Sequence, residues 1–132
     1  MKYLALFLFA LIVPLQANAG IWGDEVISKS VVSSAADSSL VASTSRGYLY
    51  GFSATSGATG GYILVHDASA EPPDGAVTPD YCYQLPANQT IGISFGDYPP
   101  LFETGITIEF STTGCFTATG SDTAYFSAQI KE

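Results

Sequence analysis

The chain has 132 residues, 47% of them hydrophobic and 12% charged, with 12 acidic side chains against 4 basic ones. That length holds one domain. The acidic balance argues against a nucleic-acid or anionic-lipid binder, because affinity for phosphate is carried by Lys and Arg.

Read from the start, Lys2 is followed by an apolar run over residues 3–15 and then by Ala17-Asn18-Ala19. A positive n-region, an apolar stretch of about 7–15 residues and a small-x-small cleavage site describe a secretory signal peptide over residues 1–19. A membrane span needs about 20 apolar residues, more than this run supplies. No Cys follows the cleavage site, so no lipoprotein anchor is expected. The mature chain, residues 20–132, keeps all the acids and loses Lys2, which makes it more acidic still.

Within the mature chain, residues 26–33 and 39–43 are predicted strands. Only residues 25–40 offer helical spacing, and their β-branched residues and serines disfavour it. Residues 47–54 alternate so that Tyr48, Tyr50 and Phe52 share an apolar face, while residues 62–66 are apolar nearly throughout, as in a strand covered on both faces. A loop over residues 67–80 follows, exposed and stiffened by Pro72, Pro73 and Pro79. Residues 81–85 put Tyr83 and Leu85 on one face and Cys82 on the other. Residues 90–96 align Ile91, Ile93 and Phe95; residues 105–111 align Ile106, Ile108 and Phe110; residues 124–130 align Phe126, Ala128 and Ile130. Turn signals separate these runs, among them Gly60-Gly61, Pro72-Pro73-Asp74-Gly75 and Gly120-Ser121-Asp122. About eight short strands predict an all-β fold, a single antiparallel β-sandwich of immunoglobulin-like or jelly-roll-like kind.

Cys82 and Cys115 are the only cysteines, and a signal peptide delivers them to an oxidising compartment, so a disulfide is expected. With one His in the chain and no CxxC, a thiolate metal site has too few ligands. Three other patterns touch chemistry. Gly92-Ile93-Ser94-Phe95-Gly96 fits the nucleophile elbow G-x-S-x-G, but Ser94 lies in an alternating strand with no helix after it, and the only His precedes it. His66 beside Asp67 has the residue types of a base and its orienting carboxylate, yet at a strand end it reads as a half-exposed structural histidine. Asp67, Glu71, Asp74 and Asp80 could offer oxygens to calcium, although they lack the EF-hand spacing. Of the aromatics, Trp22 and Tyr98 are the surface candidates for binding, whereas Tyr48, Tyr50 and Tyr62 fall on apolar strand faces. Asn88-Gln89-Thr90 is a glycosylation sequon in a turn, meaningful only in a eukaryotic secretory host.

Several strings in order carry a family resemblance. They are Arg46-Gly47-Tyr48-Leu49-Tyr50 running into Ala54-Thr55, the stretch from Tyr62-Ile63-Leu64-Val65-His66-Asp67-Ala68 into the Pro-rich loop, Leu85-Pro86-Ala87, and Phe102-Glu103-Thr104-Gly105-Ile106. In order and spacing, residues 46–130 resemble small β-sandwich proteins encoded among the structural genes of tailed bacteriophages. The resemblance implies a non-enzymatic module of a particle or fibre that packs against itself or other structural proteins, with no catalytic residue and no cofactor. The signal peptide and the cysteine pair depart from that pattern and place the chain at the envelope or outside the cell. The expectation is therefore an exported structural or protein-binding domain. A secreted carbohydrate-binding module, using loop aromatics and calcium, is the alternative.

Overall fold

The structure, a computed structural model, describes residues 28–132. The expected signal peptide (residues 1–19), Trp22 and the first two residues of the expected 26–33 strand lie outside them. Among the described residues the β-branched and aromatic runs form eleven strands: β1 (Lys29–Val32), β2 (Ser39–Ser43), β3 (Gly47–Ser56), β4 (Gly61–Asp67), β5 (Gly75–Ala76), β6 (Tyr81–Leu85), β7 (Thr90–Ser94), β8 (Leu101–Phe102), β9 (Ile106–Ser111), β10 (Thr117–Ala118) and β11 (Ala124–Lys131). The eight longer ones are those the alternation predicts. The three extra strands have two residues each, too few for a period to show.

Two sheets face each other. One runs β1-β11-β3-β7, with β8 beside the start of β3; the other runs β2-β9-β4-β6; a separate pair joins β10 to β5. Taking the eight longer strands, the first pairs with the last (β1 with β11), the second with the seventh (β2 with β9), the third with the sixth (β3 with β7) and the fourth with the fifth (β4 with β6), all antiparallel. Such nested pairing is one long hairpin wrapped over itself. It is the jelly-roll arrangement and decides between the two sandwich types expected.

Between the sheets lie Leu49, Phe52, Ala54, Ile63, Val65, Leu85, Phe102, Ile106, Ile108, Phe110, Phe126, Ala128 and Ile130, all buried. At about 25 cal/mol per Å² of apolar area removed from water, this layer is the main source of stability. Apolar residues two apart supply it from β9 and β11, as their alternation requires.

The face of β3 differs from expectation. Gln129 faces Gly51 but Ile130 faces Leu49, so Tyr50 has no partner on β11 and the strand bulges there. Leu49 and Phe52, three apart, therefore both point into the core, and Tyr48, 40% exposed, points out with Tyr50 half-buried. On its other side β3 runs close to β7 at Gly51. A Cβ at Gly51 would lie 2.6 Å from the Ile93 carbonyl oxygen, so only glycine fits.

Candidate functional site

Strand β9 is buried along its whole length on both faces. Ile106, Ile108 and Phe110 enter the core. On the other face, where a two-layer sandwich would meet water, Thr107, Glu109 and Ser111 are also fully buried. The cover comes from the hairpin tip, residues 68–80 with β5, and from residues 112–119 with β10. Thr107 Oγ1 donates to the Ala68 carbonyl at 2.8 Å, and Ser111 Oγ donates to the Thr117 carbonyl at 3.0 Å while accepting from the Thr119 N–H at 3.1 Å. The disulfide Cys82–Cys115 joins residue 115 to β6, with its Cα atoms 5.7 Å apart. Leu64 and Ala118 fill this outer layer, apart from the main core.

The same layer encloses the single histidine. His66 Nε2 lies 3.1 Å from Glu109 Oε2, with the residues 5% and 0% exposed. Glu109 faces Leu64 across the ladder and His66 faces Thr107, so the pair meets diagonally between β4 and β9. The expected half-exposed histidine is thus a buried one, because the loop that follows it folds back over its sheet. Glu109 Oε1 has no hydrogen-bond partner. A histidine held by a carboxylate has the form of a general base with its orienter, but a base needs a reacting group within about 3 Å. The two hydroxyls flanking Glu109 along β9, those of Thr107 and Ser111, are already bonded to carbonyls, and the pair is closed to a substrate.

The four loop carboxylates do not converge. Asp67 accepts N–H bonds from Thr104 at 2.7 Å, Glu103 at 3.1 Å and Gly105 at 3.3 Å, and Asp80 accepts from the Asp67 N–H at 2.8 Å. Glu71 accepts from the Ser38 hydroxyl and Asp74 from the Gly120 N–H, both at 2.8 Å. Ser38 precedes β2, while Gly105 abuts the Ser43 carbonyl at its far end, so the two acid pairs serve opposite ends of that strand. Glu71 and Asp74 share an open hollow with Asp122, Pro72 and Pro73. Among the described residues no group of three His, Cys, Asp or Glu side chains is placed to hold a metal ion. The acids fasten loops to one another.

For Asp67, burial pushes the carboxyl up, but the N–H bonds from Thr104, Glu103 and Gly105 together outweigh it and hold it below its ordinary value of 3.8. A carboxyl depressed in the folded state contributes stability above its unfolded pKa and loses it as pH falls through the folded one. Asp67→Asn is therefore expected to lower stability at pH 7 and to narrow the gap to wild type below about pH 4. Urea midpoints measured from pH 7 to pH 2 check this; a constant gap would mean that the carboxylate charge contributes nothing.

Ser94 is exposed at the end of β7, its Oγ accepting from the Gly96 N–H at 3.3 Å. It lies on the sheet opposite to that of His66, so neither elbow nor triad forms. Beside it, a shallow groove on the outer face of the β1-β11-β3-β7 sheet is lined by Tyr50, Ser53, Gly92, Ser127 and Gln129. The alternation over 47–54 hid this groove, because it assigned Tyr50 to the core. Tyr98 is 91% exposed, as expected of a surface aromatic. Asn88 occupies an exposed turn with φ of 55°, which asparagine tolerates better than most residues.

Comparison of the chain with protein-family models, with curated proteins and with solved structures finds no match in any of the three.

Proposed function

We propose that this protein is an exported, non-enzymatic β-sandwich with a structural or protein-binding role. One observation carries the reading: the side chains that could do chemistry instead hold the fold together. His66 and Glu109 are sealed under the hairpin tip, Asp67, Asp74 and Asp80 hold backbone N–H groups, and Glu71 holds the Ser38 hydroxyl. The disulfide suits an oxidising compartment, and no helix among the described residues is long and apolar enough to cross a membrane. Jelly rolls serve in viral capsids and in lectins alike, so fold alone does not choose a role. The strand strings over residues 46–130 support kinship with phage particle or fibre modules, adapted for export by the leader and the cysteine pair.

The test is expression with residues 1–19 in a bacterial host, followed by intact mass and light scattering of the exported protein. Cleavage after Ala19 and association with itself or a surface protein are the expected results. Retention in the cytoplasm, or a strict monomer that binds no envelope protein, would overturn the reading. A secreted carbohydrate-binding role is favoured by the uncharged groove, where Tyr50 stands beside three serines and Gln129. A glycan array probed with and without calcium decides it.

A further inference from the structure

Four strands end the two sheets, and three carry devices that discourage another strand from adding. In β1, Lys29 sits in register with Ile130 and so turns a charge toward the core side of the edge. Strand β2 shifts register between Val41 and Ser43. Strand β6 is tied through Cys82 to residue 115 and preceded by Asp80. Charges, irregular register and covering chain are the usual protections of a sheet edge. Strand β7, Thr90-Ile91-Gly92-Ile93-Ser94, has no charge and no proline, and its register with β3 is unbroken.

The free hydrogen-bonding groups of this edge follow from the ladder. The Ser56 N–H donates to the Gln89 carbonyl and the Phe95 N–H to the Tyr50 carbonyl, both at 2.9 Å, in one register with Phe52↔Ile93 and Ala54↔Ile91. In an antiparallel pair inward and outward groups alternate. Ile91 and Ile93 are thus bonded to β3, and the N–H and C=O groups of Thr90, Gly92 and Ser94 point away from the sheet.

We propose that β7 pairs with β7 of a second copy of this chain, antiparallel about Gly92. The proposal rests on the self-association in the functional reading above and gives it an address. A twofold interface must be self-complementary, and this strand reads nearly the same in both directions. Gly92 meets Gly92, Thr90 meets Ser94 and Ile91 meets Ile93. Nothing lies within 4 Å of where a Gly92 Cβ would be, so the centre of the pairing is open. Ile91, Ile93 and Phe95 are only partly buried against the core, beside Tyr81 and Tyr83 at the facing edge, and a second copy would cover them. No charged residue occurs between Asp80 and Asp97, so this flank lets two acidic chains approach. The β1-β11-β3-β7 path would then double into one continuous sheet.

A single strand pair is a small contact, which predicts a weak, reversible dimer. Sedimentation equilibrium of the mature, disulfide-bonded protein from about 1 µM to about 1 mM measures it. Gly92→Lys opposes two like charges on one face, and Gly92→Pro removes an outward N–H while sparing the β3 ladder. Each is expected to weaken dimerisation at least tenfold, with circular dichroism unchanged. In wild type, exchange at the Thr90, Gly92 and Ser94 amides should slow with concentration, while that at Ile91 and Ile93 should not; this readout stands even if both variants fail to fold. A monomer throughout the range overturns the pairing and leaves the functional reading to its partner-binding arm. Equal association of wild type and Gly92→Lys overturns the β7 contact alone and leaves self-association standing.

Discussion

His66→Leu is expected to destabilise the protein by about 3–5 kcal/mol, the cost of leaving a buried carboxylate without its partner. Glu109 has 0% exposure and one oxygen already unbonded, so losing the His66 contact at 3.1 Å removes the single side-chain bond on that carboxylate. The loss is a large part of the roughly 5–15 kcal/mol that keeps a small domain folded. Glu109→Gln should be milder, about 1–2 kcal/mol, because an amide keeps a bonding group opposite Nε2. The double variant His66→Leu/Glu109→Leu should recover most of the loss, since apolar replacements of a buried pair are often neutral or better. Urea denaturation with the disulfide intact measures all three. A His66→Leu protein as stable as wild type would mean that buried Glu109 does not depend on the His66 contact.

Removing the disulfide with Cys82→Ala/Cys115→Ala should cost about 3–4 kcal/mol, the chain-entropy value for cysteines 33 residues apart. Its local effect should be more telling. Residues 112–119 reach β6 through this bond, and otherwise hold on through the short β5–β10 ladder, the Val77 N–H to the Phe116 carbonyl, the hydroxyl of Ser111 and the buried Ala118. Without it, the outer layer should open before the core does. Amide exchange in β10 and in the covering loop should accelerate far more than in β3 or β11, and proteases should cut near Phe116, which is 70% exposed. Uniform acceleration across all strands would instead show that the outer layer and the core unfold as one unit.

The strand positions were legible because period-two alternation is written into β7, β9 and β11 almost without interruption. The faces were less so. A single residue, Tyr50, bulges out of register and reverses Tyr48, and nothing in the local pattern marks it apart from Gly51 next to it. The two-residue strands lie below the length at which alternation exists. The hidden Glu109 is the larger lesson: in its own strand it alternates with Ile108 and Phe110 as a solvent-facing residue should. What buries it is chain from the hairpin tip and from beyond β9, brought there by a disulfide and by two hydroxyl-to-carbonyl bonds. The acidic loop was legible as a loop, but the partners of its carboxylates, backbone N–H groups for Asp67, Asp74 and Asp80 and the Ser38 hydroxyl for Glu71, are invisible in a sequence.

The nested pairing also sets an order of assembly. Strands β4 and β6 are joined by the tip and close the shortest loop, whereas β1 and β11 put Lys29 beside Ile130 at opposite ends of the described chain. Each inner pair shortens the loop that the next outer pair must close, so an outer pair costs less entropy once the pair inside it has formed. Folding should therefore run outward from the tip like a zip, with β1 the last to dock and the first to fray. A chain emerging from a ribosome cannot finish its first sheet until its final strand is free.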